Sequence, residues 1–477
     1  MKIVVIGGGI VGTLIARLLS FYEADVTLIE KENDVGWGVT KANSGIIHAG
    51  YDDEPGTVRA SLVVPGNEMY TQLQKDLDFP FMRVGSHVLA FSDEDVKTLE
   101  DLYKRGEKNG VKGMKILDRK EVLSMIPKVN PQVKASLYAP SAGIVVPWRV
   151  ALSASDNFIK NGGRLALGER VVDIQVREGR VRKVITNKNE YEADVVINSA
   201  GLFADEIAKM AGAESVPIHP RKGEYILLDT QEYTNYVLFP TPSHGSKGML
   251  VVPTLSENTL IGPNAVDLPP DKKDDVSTTD SGLKEVYEGA KRLIPSIKLN
   301  KVLRTFAGLR PESPQRDFFI KESEKVWGFI NVAAIRSPGL TAAPAIAEYV
   351  VEELLQQKLK LNLQKKKEYV KSVRGIQKVS RLNIEEWADL VRKDEKYGNI
   401  ICVCNRVTEG EIVEAVRRGA KTLDSVKFRT GAMCGPCQAA RCAMKIANII
   451  SRETGIPIEE ILLNANGSNI ALGKVRP

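Results

Sequence analysis

The first thirty residues alternate between short apolar runs and a turn rich in glycine. Residues 2–6 (KIVVI) form a β-branched apolar run, which predicts a buried strand. A glycine turn at 7–12 leads into apolar positions at helical spacing, and residues 24–29 (ADVTLI) predict a second strand that ends at Glu30. The pattern therefore predicts a βαβ unit at the start of the chain.

The turn within this unit has the spacing G-x-G-x-x-G, and an acidic residue follows 18 positions after the last glycine. In a βαβ unit such glycines permit a tight turn, a close approach of pyrophosphate to the backbone, and close packing of helix on strand. The helix N-terminus offers N–H groups to phosphate, and the acid accepts hydrogen bonds from a ribose. We therefore predict a dinucleotide site formed by Gly7, Gly9, Ile10, Val11, Gly12, Glu30 and Lys31.

The remaining pattern predicts an α/β protein with a small helical C-terminal domain. The family resemblance given below implies a Rossmann-like nucleotide-binding domain interleaved with an antiparallel-sheet substrate domain. The predicted boundaries are 1–66, 151–215 and 300–355 for the nucleotide part, 67–150 and 216–299 for the substrate part, 356–397 for a Lys-rich solvated connector, 398–465 for the C-terminal domain and 466–477 for a tail.

Composition and charge exclude several classes of protein. The 477 residues are 43% apolar and 26% charged, which is typical of a globular chain with more than one domain. The net charge of +6 comes from interleaved acids and bases, so we do not infer nucleic-acid binding. No apolar stretch reaches about 18 residues, which argues against a membrane-spanning helix. We expect a cytoplasmic protein; peripheral contact with an acidic partner or the inner face of a membrane stays an alternative.

All five cysteines lie between residues 402 and 442. Such clustering indicates a metal or redox module in a reducing compartment rather than a disulfide scaffold. Cys-Val-Cys at 402–404 precedes a capping box at 408–411, and Cys-Gly-Pro-Cys at 434–437 is predicted to open a helix that continues to about residue 453. The helical spacer can bring four thiolates onto one site, with Cys442 as a spare packed thiol; the four are Cys402, Cys404, Cys434 and Cys437.

Three kinds of site fit this cysteine pattern: a thioredoxin redox motif, a zinc site with four cysteines, and a [2Fe–2S] cluster. The thioredoxin motif is disfavoured because only 40 residues follow Cys437 and no βαβ pattern surrounds it. Zinc is chemically allowed, although C-x-C spacing is less usual there. A [2Fe–2S] cluster fits four thiolates in a redox enzyme, and we predict it here.

A glycine-rich loop follows the βαβ unit and contains Asn-Ser-Gly-Ile-Ile-His-Ala-Gly at 43–50. The unit and this loop resemble the FAD-dependent family of amine and alcohol oxidoreductases typified by D-amino-acid oxidase, over roughly residues 1–355. Its most similar branches are FAD-dependent glycerol-3-phosphate dehydrogenase and L-2-hydroxyglutarate dehydrogenase. The resemblance implies that FAD is the dinucleotide, with further contacts from Asn43, Ser44, Gly45, Ile47, His48, Val171, Ala200, Gly201, Arg310, Arg336, Pro338, Gly339, Leu340 and Thr341.

The same resemblance implies roles for several polar side chains. Arg310, in the segment Ala-Gly-Leu-Arg-Pro, is expected to clamp the anionic group of a substrate, because a guanidinium fork suits carboxylate or phosphate. Arg316 matches a second anion-binding arginine. His244 and Lys247 lie on a loop that faces the substrate in the glycerol-phosphate branch. His48 and His244 are therefore the candidate bases.

The sequence departs from the glycerol-phosphate branch at Gly339. That branch carries a lysine at about this place, and Ser-Pro-Gly-Leu-Thr-Ala-Ala-Pro at 337–344 is more similar to the hydroxyglutarate branch. Arg336 could supply the missing positive charge.

The cysteine-bearing domain resembles the bacterioferritin-associated-ferredoxin-like domain, which is fused to the large subunit of anaerobic glycerol-3-phosphate dehydrogenase. The resemblance implies oxidation of sn-glycerol 3-phosphate to dihydroxyacetone phosphate, with electrons passing through the cluster to a partner redox subunit or quinone. One alternative is an L-2-hydroxyglutarate, other 2-hydroxyacid or secondary-amine dehydrogenase. Another is a non-catalytic iron–sulfur electron-transfer subunit with structural FAD.

Overall fold

The computed structural model of the protein describes residues 1–242, 248–471 and 473. The strands in this part of the chain are β1 (Lys2–Ile6), β2 (Asp25–Glu30), β3 (Ile46–Ile47), β4 (Phe81–Arg83), β5 (Ser86–Ala90), β6 (Lys115–Asp118), β7 (Ala135–Ala139), β8 (Gly143–Val145), β9 (Arg164–Leu167), β10 (Val171–Arg177), β11 (Arg180–Thr186), β12 (Glu190–Glu192), β13 (Val195–Asn198), β14 (His219–Leu228), β15 (Val237–Pro240), β16 (Leu250–Pro253), β17 (Thr259–Gly262), β18 (Val266–Asp267), β19 (Val302–Glu312), β20 (Phe319–Glu322), β21 (Phe329–Ala333), β22 (Ile400–Cys402) and β23 (Val407–Thr408).

The helices complete the architecture. The α-helices are α1 (Ile10–Leu19), α2 (Val58–Leu77), α3 (Asp93–Lys108), α4 (Arg119–Met125), α5 (Pro147–Lys160), α6 (Ala204–Met210), α7 (Asp280–Leu293), α8 (Gly339–Glu348), α9 (Ile384–Lys393), α10 (Glu409–Arg417), α11 (Leu423–Thr430) and α12 (Ala443–Thr454). A π-helix (Tyr349–Lys358) continues α8, and 3-10 turns lie at Gly38–Thr40, Gly201–Phe203, Val379–Arg381, Glu395–Gly398 and Ile458–Glu460. Within the described ranges, every helix is too short or too polar to cross a bilayer.

The first sheet belongs to the nucleotide part and has the strand order β20-β21-β13-β1-β2-β9. β1 lies parallel to β2 on one side and to β13 on the other. Residues of β1 and β13 are buried almost throughout, as expected for β-branched strands covered on both faces. The predicted βαβ unit and the Rossmann-like domain are therefore confirmed.

The second sheet covers the nucleotide part and has the order β18-β14-β17-β16-β15-β5-β7-β6, with β19 paired to β14. Its pairs are antiparallel apart from β15 with β5, which confirms the predicted antiparallel sheet. The assignment of residues 300–355 to the nucleotide part is wrong at its start, since β19 pairs with β14 along its length. An apolar strand pattern does not reveal which sheet the strand joins.

The predicted boundary between residues 66 and 67 is also wrong. α2 is one helix across that point, and a Cβ on Gly66 would lie 2.4 Å from Thr341 O, so α2 packs directly on α8. Tyr70 Oη donates to Leu340 O at 2.6 Å. The nucleotide part therefore continues to Leu77.

The connector is not a solvated spacer over residues 359–378, which we call the strap. Leu361 and Leu363 are buried in the same core as α1, and Lys366 N–H donates to Phe21 O at 2.9 Å. The sequence Leu-Lys-Leu-Asn-Leu at 359–363 alternates apolar and polar residues, and this period of two places its leucines on one buried side.

The C-terminal domain has its own core, formed by α10, α11, α12 and the pair β22–β23. The predicted capping box of Thr408 and Glu411 begins α10. The third helix begins at Ala443 and not at Cys437, because Gln438 and Ala439 adopt φ of 47° and 73°, outside the right-handed helical region. We propose 398–465 as the extent of this domain.

Candidate functional site

The glycine turn between β1 and α1 is folded against the end of β13. Gly7 has φ 103°, and a Cβ there would lie 2.5 Å from Ser199 O. A Cβ on Gly12 would lie 2.0 Å from Gly7 O, so α1 reaches the turn only without a side chain at that position. The N-terminus of α1 therefore opens over a surface of backbone, which fits the cradle that a pyrophosphate needs.

Glu30 lies beside this turn at the end of β2. Its Oε2 accepts from Gly8 N–H at 2.6 Å, and its Oε1 accepts from Glu32 N–H at 2.9 Å. Burial raises the pKa of Glu30 to about 7, although both backbone donors favour the carboxylate. A ribose hydroxyl that donated to the same carboxylate would favour ionisation further, so the group fits its predicted role.

Three other predicted cofactor residues adjoin this turn. A Cβ on Gly7 would lie 3.0 Å from Ala200 Cα, which brings the Ala200-Gly201 turn against the glycine turn. Val171 begins β10 directly after the segment in which Glu169 N–H donates to the carbonyl of Glu30 at 2.9 Å. Lys31 lies outside the turn, with its Nζ 4.1 Å from the ring centroid of Phe203.

The loop before His48 is held by its own asparagine. Asn43 Oδ1 accepts from Gly45 N–H at 2.8 Å, and its Nδ2 donates to two carbonyls of the preceding 3-10 turn, both at 2.9 Å. β19 crosses behind this loop so closely that a Cβ on Gly308 would lie 1.9 Å from Ala42 O. The glycine of Ala-Gly-Leu-Arg-Pro is therefore required by packing of the sheet on the loop.

His48 lies where the loop, the N-terminus of α8 and the covering sheet meet. The backbone N–H of His48 donates to Thr341 Oγ1 at 2.9 Å, and the ring atom Nε2 lies 3.5 Å from Ser337 Oγ. Its ring centroid is 5.8 Å from that of Phe239 on β15. The structure thus brings together the predicted base and the predicted helix N-terminus. The predicted residues His244 and Lys247 lie outside the described residues.

A group of four arginines lies next to this position, since Arg336 directly precedes Ser337; its members are Arg59, Arg221, Arg310 and Arg336. Arg310 Nη2 donates to Asn264 O at 2.7 Å and to Lys222 O at 3.2 Å, which anchors the guanidinium to the sheet. Arg336 Nε lies 3.1 Å from Glu312 Oε2.

Three of the four arginines are paired with a carboxylate, so the group holds one more positive charge than these partners neutralise. The pairs are Arg59 with Asp53, Arg221 with Asp267, and Arg336 with Glu312. Burial lowers the pKa of Arg336; Glu312 raises it, while the charges of the other three arginines lower it. The register of β14 and β19 also sets Arg221 directly opposite Arg310, and like charges opposite one another are destabilising. Such repulsion is relieved when an anion binds between the guanidinium groups.

The hydrogen bonds of the arginine group to its neighbours are incomplete. The Nε atoms of Arg59, Arg221 and Arg336 are buried and meet no hydrogen-bond geometry within the described residues, although each lies 3.1–3.6 Å from a carboxylate oxygen. The arrangement is therefore suited to a ligand with several acceptor oxygens.

Arg316 is exposed on a turn with φ 53°, and its neighbour Asp317 accepts from the backbone N–H of Arg59 at 3.0 Å. Its anion-binding role stays a prediction. Sequence reasoning missed Arg59 and Arg221. Arg221 could have been found only from the pairing of β14 with β19, which no local pattern specifies.

Gly339 begins α8 in a tight space. A Cβ at this position would lie 2.5 Å from Ile335 Cγ2, so a lysine could not be accommodated without a shift. The positive charge that the departure at Gly339 removes is therefore available from Arg336, three residues earlier.

The cysteines gather at one end of the C-terminal domain. Burial and the hydrogen-bonded Cys402 together raise the pKa of Cys442 to about 11. The backbone N–H of Arg441 and the thiol of Cys404 lower the pKa of Cys437. Four of the five thiols thus lie in two pairs, Cys402 with Cys442 and Cys404 with Cys437. In the described part of the chain no three His, Cys, Asp or Glu side chains are already arranged to hold a metal ion.

The cysteine end nevertheless fits a thiolate-bound cluster. A Cβ on Gly435 would lie 2.3 Å from Cys404 Cβ, so glycine is needed for the two cysteine segments to approach each other. The backbone N–H groups of Ala439 and Arg441 stabilise the Cys437 thiolate, as donors around cluster sulfurs do. The assignment of Cys402, Cys404, Cys434 and Cys437 as ligands stays a prediction.

Comparisons with known proteins agree with both sites. Residues 2–353 match the family described as FAD dependent oxidoreductase, and residues 400–452 match the BFD-like [2Fe-2S] binding domain. A glycerol 3-phosphate dehydrogenase of Caloramator mitchellensis is 44% identical over 99% of this chain and 98% of that protein. An L-2-hydroxyglutarate dehydrogenase of Caenorhabditis elegans is 28% identical over 74% of this chain and 93% of its own length.

A solved structure gives the same result for the fold. The dithionite-reduced L-alpha-glycerophosphate oxidase of Mycoplasma pneumoniae, with FAD bound, matches with a TM-score of 0.74 and 28% identity, over 78% of this chain and 98% of that chain. These matches confirm the predicted FAD and the predicted iron–sulfur cluster. The chain belongs to the FAD-dependent oxidoreductase family and has a BFD-like [2Fe–2S] binding domain near its C-terminal end.

Proposed function

We propose that the protein oxidises sn-glycerol 3-phosphate to dihydroxyacetone phosphate and passes the electrons through its [2Fe–2S] cluster to an external acceptor. The arginine group carries this proposal, because four guanidinium groups set against three paired carboxylates retain a positive charge that suits a phosphate dianion. The similarity of the whole chain to a glycerol 3-phosphate dehydrogenase supports the same substrate.

The residues have distinct roles in this proposal. Arg310 and Arg336 hold the phosphate, with Arg59 and Arg221 as further donors. His48 takes the hydroxyl proton of the substrate, held in place by Thr341 and Ser337. Phe239 closes the sheet over His48 and excludes water.

When bound, FAD would supply hydride acceptance and the [2Fe–2S] cluster would supply one-electron transfer. The substrate loses one hydride from carbon and one proton from oxygen, which leaves the ketone. The glycine turn with Glu30 would hold FAD, and Cys402, Cys404, Cys434 and Cys437 would hold the cluster.

Anaerobic stopped-flow spectroscopy tests the proposal. Glycerol 3-phosphate should bleach the flavin absorbance, and L-2-hydroxyglutarate should not. Bleaching by L-2-hydroxyglutarate alone would show that the substrate assignment is wrong. If neither compound bleaches the flavin while the cluster still accepts electrons from outside, the chain is a non-catalytic electron-transfer subunit.

A second candidate function is supported by Gly339. The tight space around it leaves the helix N-terminus without the lysine of the glycerol-phosphate branch, and a hydroxyglutarate dehydrogenase is among the relatives. Arg336→Met separates the candidates, since loss of one guanidinium should weaken a phosphate dianion more than a substrate whose two carboxylates can be held apart. Arg182→Met, an exposed arginine of β11, is the matched control.

The cluster ligands need their own test. We expect iron and acid-labile sulfide in the anaerobically purified protein, retained in Cys442→Ser and lost in Cys404→Ser. One zinc and no iron would contradict the cluster in this chain. If the cluster is lost in Cys442→Ser and retained in Cys404→Ser, then Cys442 is a ligand in place of Cys404. The contact of Cys442 with Cys402 is the reason for this test.

The exit of electrons is proposed at the exposed end of the cysteine domain. Val403 is 60% exposed and directly precedes Cys404, which is also exposed. Met444, two residues after Cys442, is 50% exposed. Arg441 and Lys445 add positive charge to this surface. A partner redox subunit with an acidic face fits it better than a quinone headgroup does. Cytoplasmic location and contact with a membrane surface stay predictions.

A further inference from the structure

A buried ion pair joins the C-terminal domain to the loop that follows β2. Arg429 on α11 forms a bidentate pair with Asp34, with Nη2 2.9 Å from Oδ1 and Nη1 bonded to Oδ2. The two side chains are 5% and 2% exposed. A guanidinium fork matches a carboxylate in one planar arrangement, so this pair fixes the orientation of the two domains relative to each other.

An aromatic contact lies directly beside this ion pair. The ring centroid of Phe428 is 5.6 Å from Trp37 and 5.4 Å from Trp148, edge-on to both tryptophans. Lys41 Nζ lies 3.2 Å from the ring centroid of Trp37. Edge-on aromatic packing is directional, so this contact fixes the orientation of α11 as well as its position.

Further contacts surround the two described above. Arg149 on α5 donates to Phe428 O at 3.3 Å, and Arg418 of the C-terminal domain pairs with Asp156 at 3.2 Å. Lys378, at the end of the strap, donates to Arg429 O at 3.3 Å. The docked position is therefore determined by several independent groups on α5, α11 and the strap.

This contact surface lies between the two cofactor sites. Trp37 directly precedes the 3-10 turn that ends at Thr40, whose Oγ1 accepts from Ile10 N–H at 3.0 Å at the N-terminus of α1. On the other side, α11 ends at Thr430, and four residues later the chain reaches Cys434. Each side of the surface thus leads directly into a cofactor site.

We propose that α11 is a fixed bridge, so that electrons pass from FAD to the cluster in this one docked arrangement and the cluster domain does not swing on its connector. Trp37, Phe428 and Arg429 are then positioning residues for electron transfer. The inference rests on the proposed function only for the presence of a reducible flavin and a cluster. Reduced FAD is oxidised in two one-electron steps; the cluster takes each electron and gives it to an external one-electron oxidant such as ferricyanide, and two protons pass to solvent.

Single-turnover spectroscopy of the holoenzyme tests the bridge. The flavin is reduced by light and EDTA, so that the substrate does not enter the experiment, and the bleaching of the cluster is then followed. We expect Phe428→Ala to keep the cluster and flavin spectra but to slow cluster reduction by about tenfold or more, because the core contact that holds the docked state is lost. Phe428→Tyr should restore the rate, and Arg452→Gln, which breaks an ion pair inside the C-terminal domain, should leave it unchanged.

Two further measurements make the proposal falsifiable. Added glycerol should not slow cluster reduction in the wild type, and limited proteolysis should cut residues 379–399 faster in Phe428→Ala than in Phe428→Tyr. A viscosity-dependent wild-type rate that Phe428→Ala leaves unchanged would show a swinging domain and overturn the proposal. If Phe428→Ala loses its cluster, Trp37→Leu alters the same contact from the nucleotide side. A failure of glycerol 3-phosphate to reduce the flavin affects only the proposed function, since the bridge is tested by photoreduction.

Discussion

The two ends of the proposed flavin-binding cleft differ in the groups that form their surfaces. At the proposed nucleotide end the surface is backbone, shaped by Gly7 and Gly12, with the carboxylate of Glu30 beside it. At the proposed anion end the surface is formed by four arginine side chains from α2, β14, β19 and the turn before α8. A backbone surface excludes added atoms but requires few residues. A side-chain surface tolerates substitution better, because neighbouring guanidinium groups share the ligand.

The largest effect is expected where the backbone surface has no spare room. In Gly12→Ala the new Cβ would lie 2.0 Å from Gly7 O, and backbone cannot give way as a side chain does. We expect a cost of about 3 kcal/mol or more, and FAD binding weakened by roughly 150-fold or lost. The flavin-to-protein ratio after purification and FAD titration of the apoprotein measure this. Gly398→Ala, whose Cβ would meet only a Val391 methyl at 3.3 Å, is the control, and equal FAD affinity in both variants would contradict the backbone account.

A smaller effect is expected from the side-chain surface. Arg310→Lys keeps the charge but loses the fork that reaches Asn264 O and the substrate anion. Loss of a charged hydrogen bond, worth about 1.5–3 kcal/mol, should lower kcat/KM by roughly 10- to 150-fold. Steady-state kinetics with a dye acceptor measure it, while the rate of FAD release should not change. If the variant binds FAD more weakly but keeps its affinity for the substrate, Arg310 contacts the nucleotide and not the substrate anion.

Glu30→Gln tests the one side chain on which the nucleotide end relies. The pKa of Glu30 in the unliganded protein is raised to about 7, and ribose hydroxyl groups bind best to the ionised form. Wild-type affinity for FAD should therefore rise as the pH passes upward through about 7, and fall below it, because binding then requires loss of a proton. The glutamine variant should bind FAD about tenfold more weakly at pH 8 with a flat pH profile. A variant that keeps the wild-type pH profile would assign the titration to another group.

The smallest effect is expected for Arg316→Met. The family resemblance predicts an anion-binding arginine there, but the side chain is exposed on a turn. We expect KM and kcat within about twofold of the wild type, as for most exposed substitutions. A tenfold rise in KM for glycerol 3-phosphate would restore Arg316 to the anion site.

The same contrast explains what could be predicted from the sequence. The nucleotide end is encoded within thirty residues, so its turn, helix and acid were visible as one local pattern. Arg221 and Arg310 meet only through the register of β14 with β19, and Asp34 and Arg429 are separated by 395 positions. Such contacts depend on which sheet a strand joins and on how two domains dock. The local spacing of apolar residues predicts neither of these. The cysteine spacing predicted an iron–sulfur domain but not the start of α12, because two residues with positive φ prevent the helix from beginning earlier.

The strap has a consequence for protein engineering. Leu361 and Leu363 complete the core around α1, and Val370 N–H donates to Asn161 Oδ1 at 2.7 Å, although these residues follow the last position of the family match at 353. A chain shortened to the oxidoreductase part alone would expose apolar surface and leave polar groups of α5 unsatisfied. Conversely, a graft of the iron–sulfur domain onto another oxidoreductase would have to include the chain from about residue 359. The receiving protein would also need helices that can make the contacts of this segment.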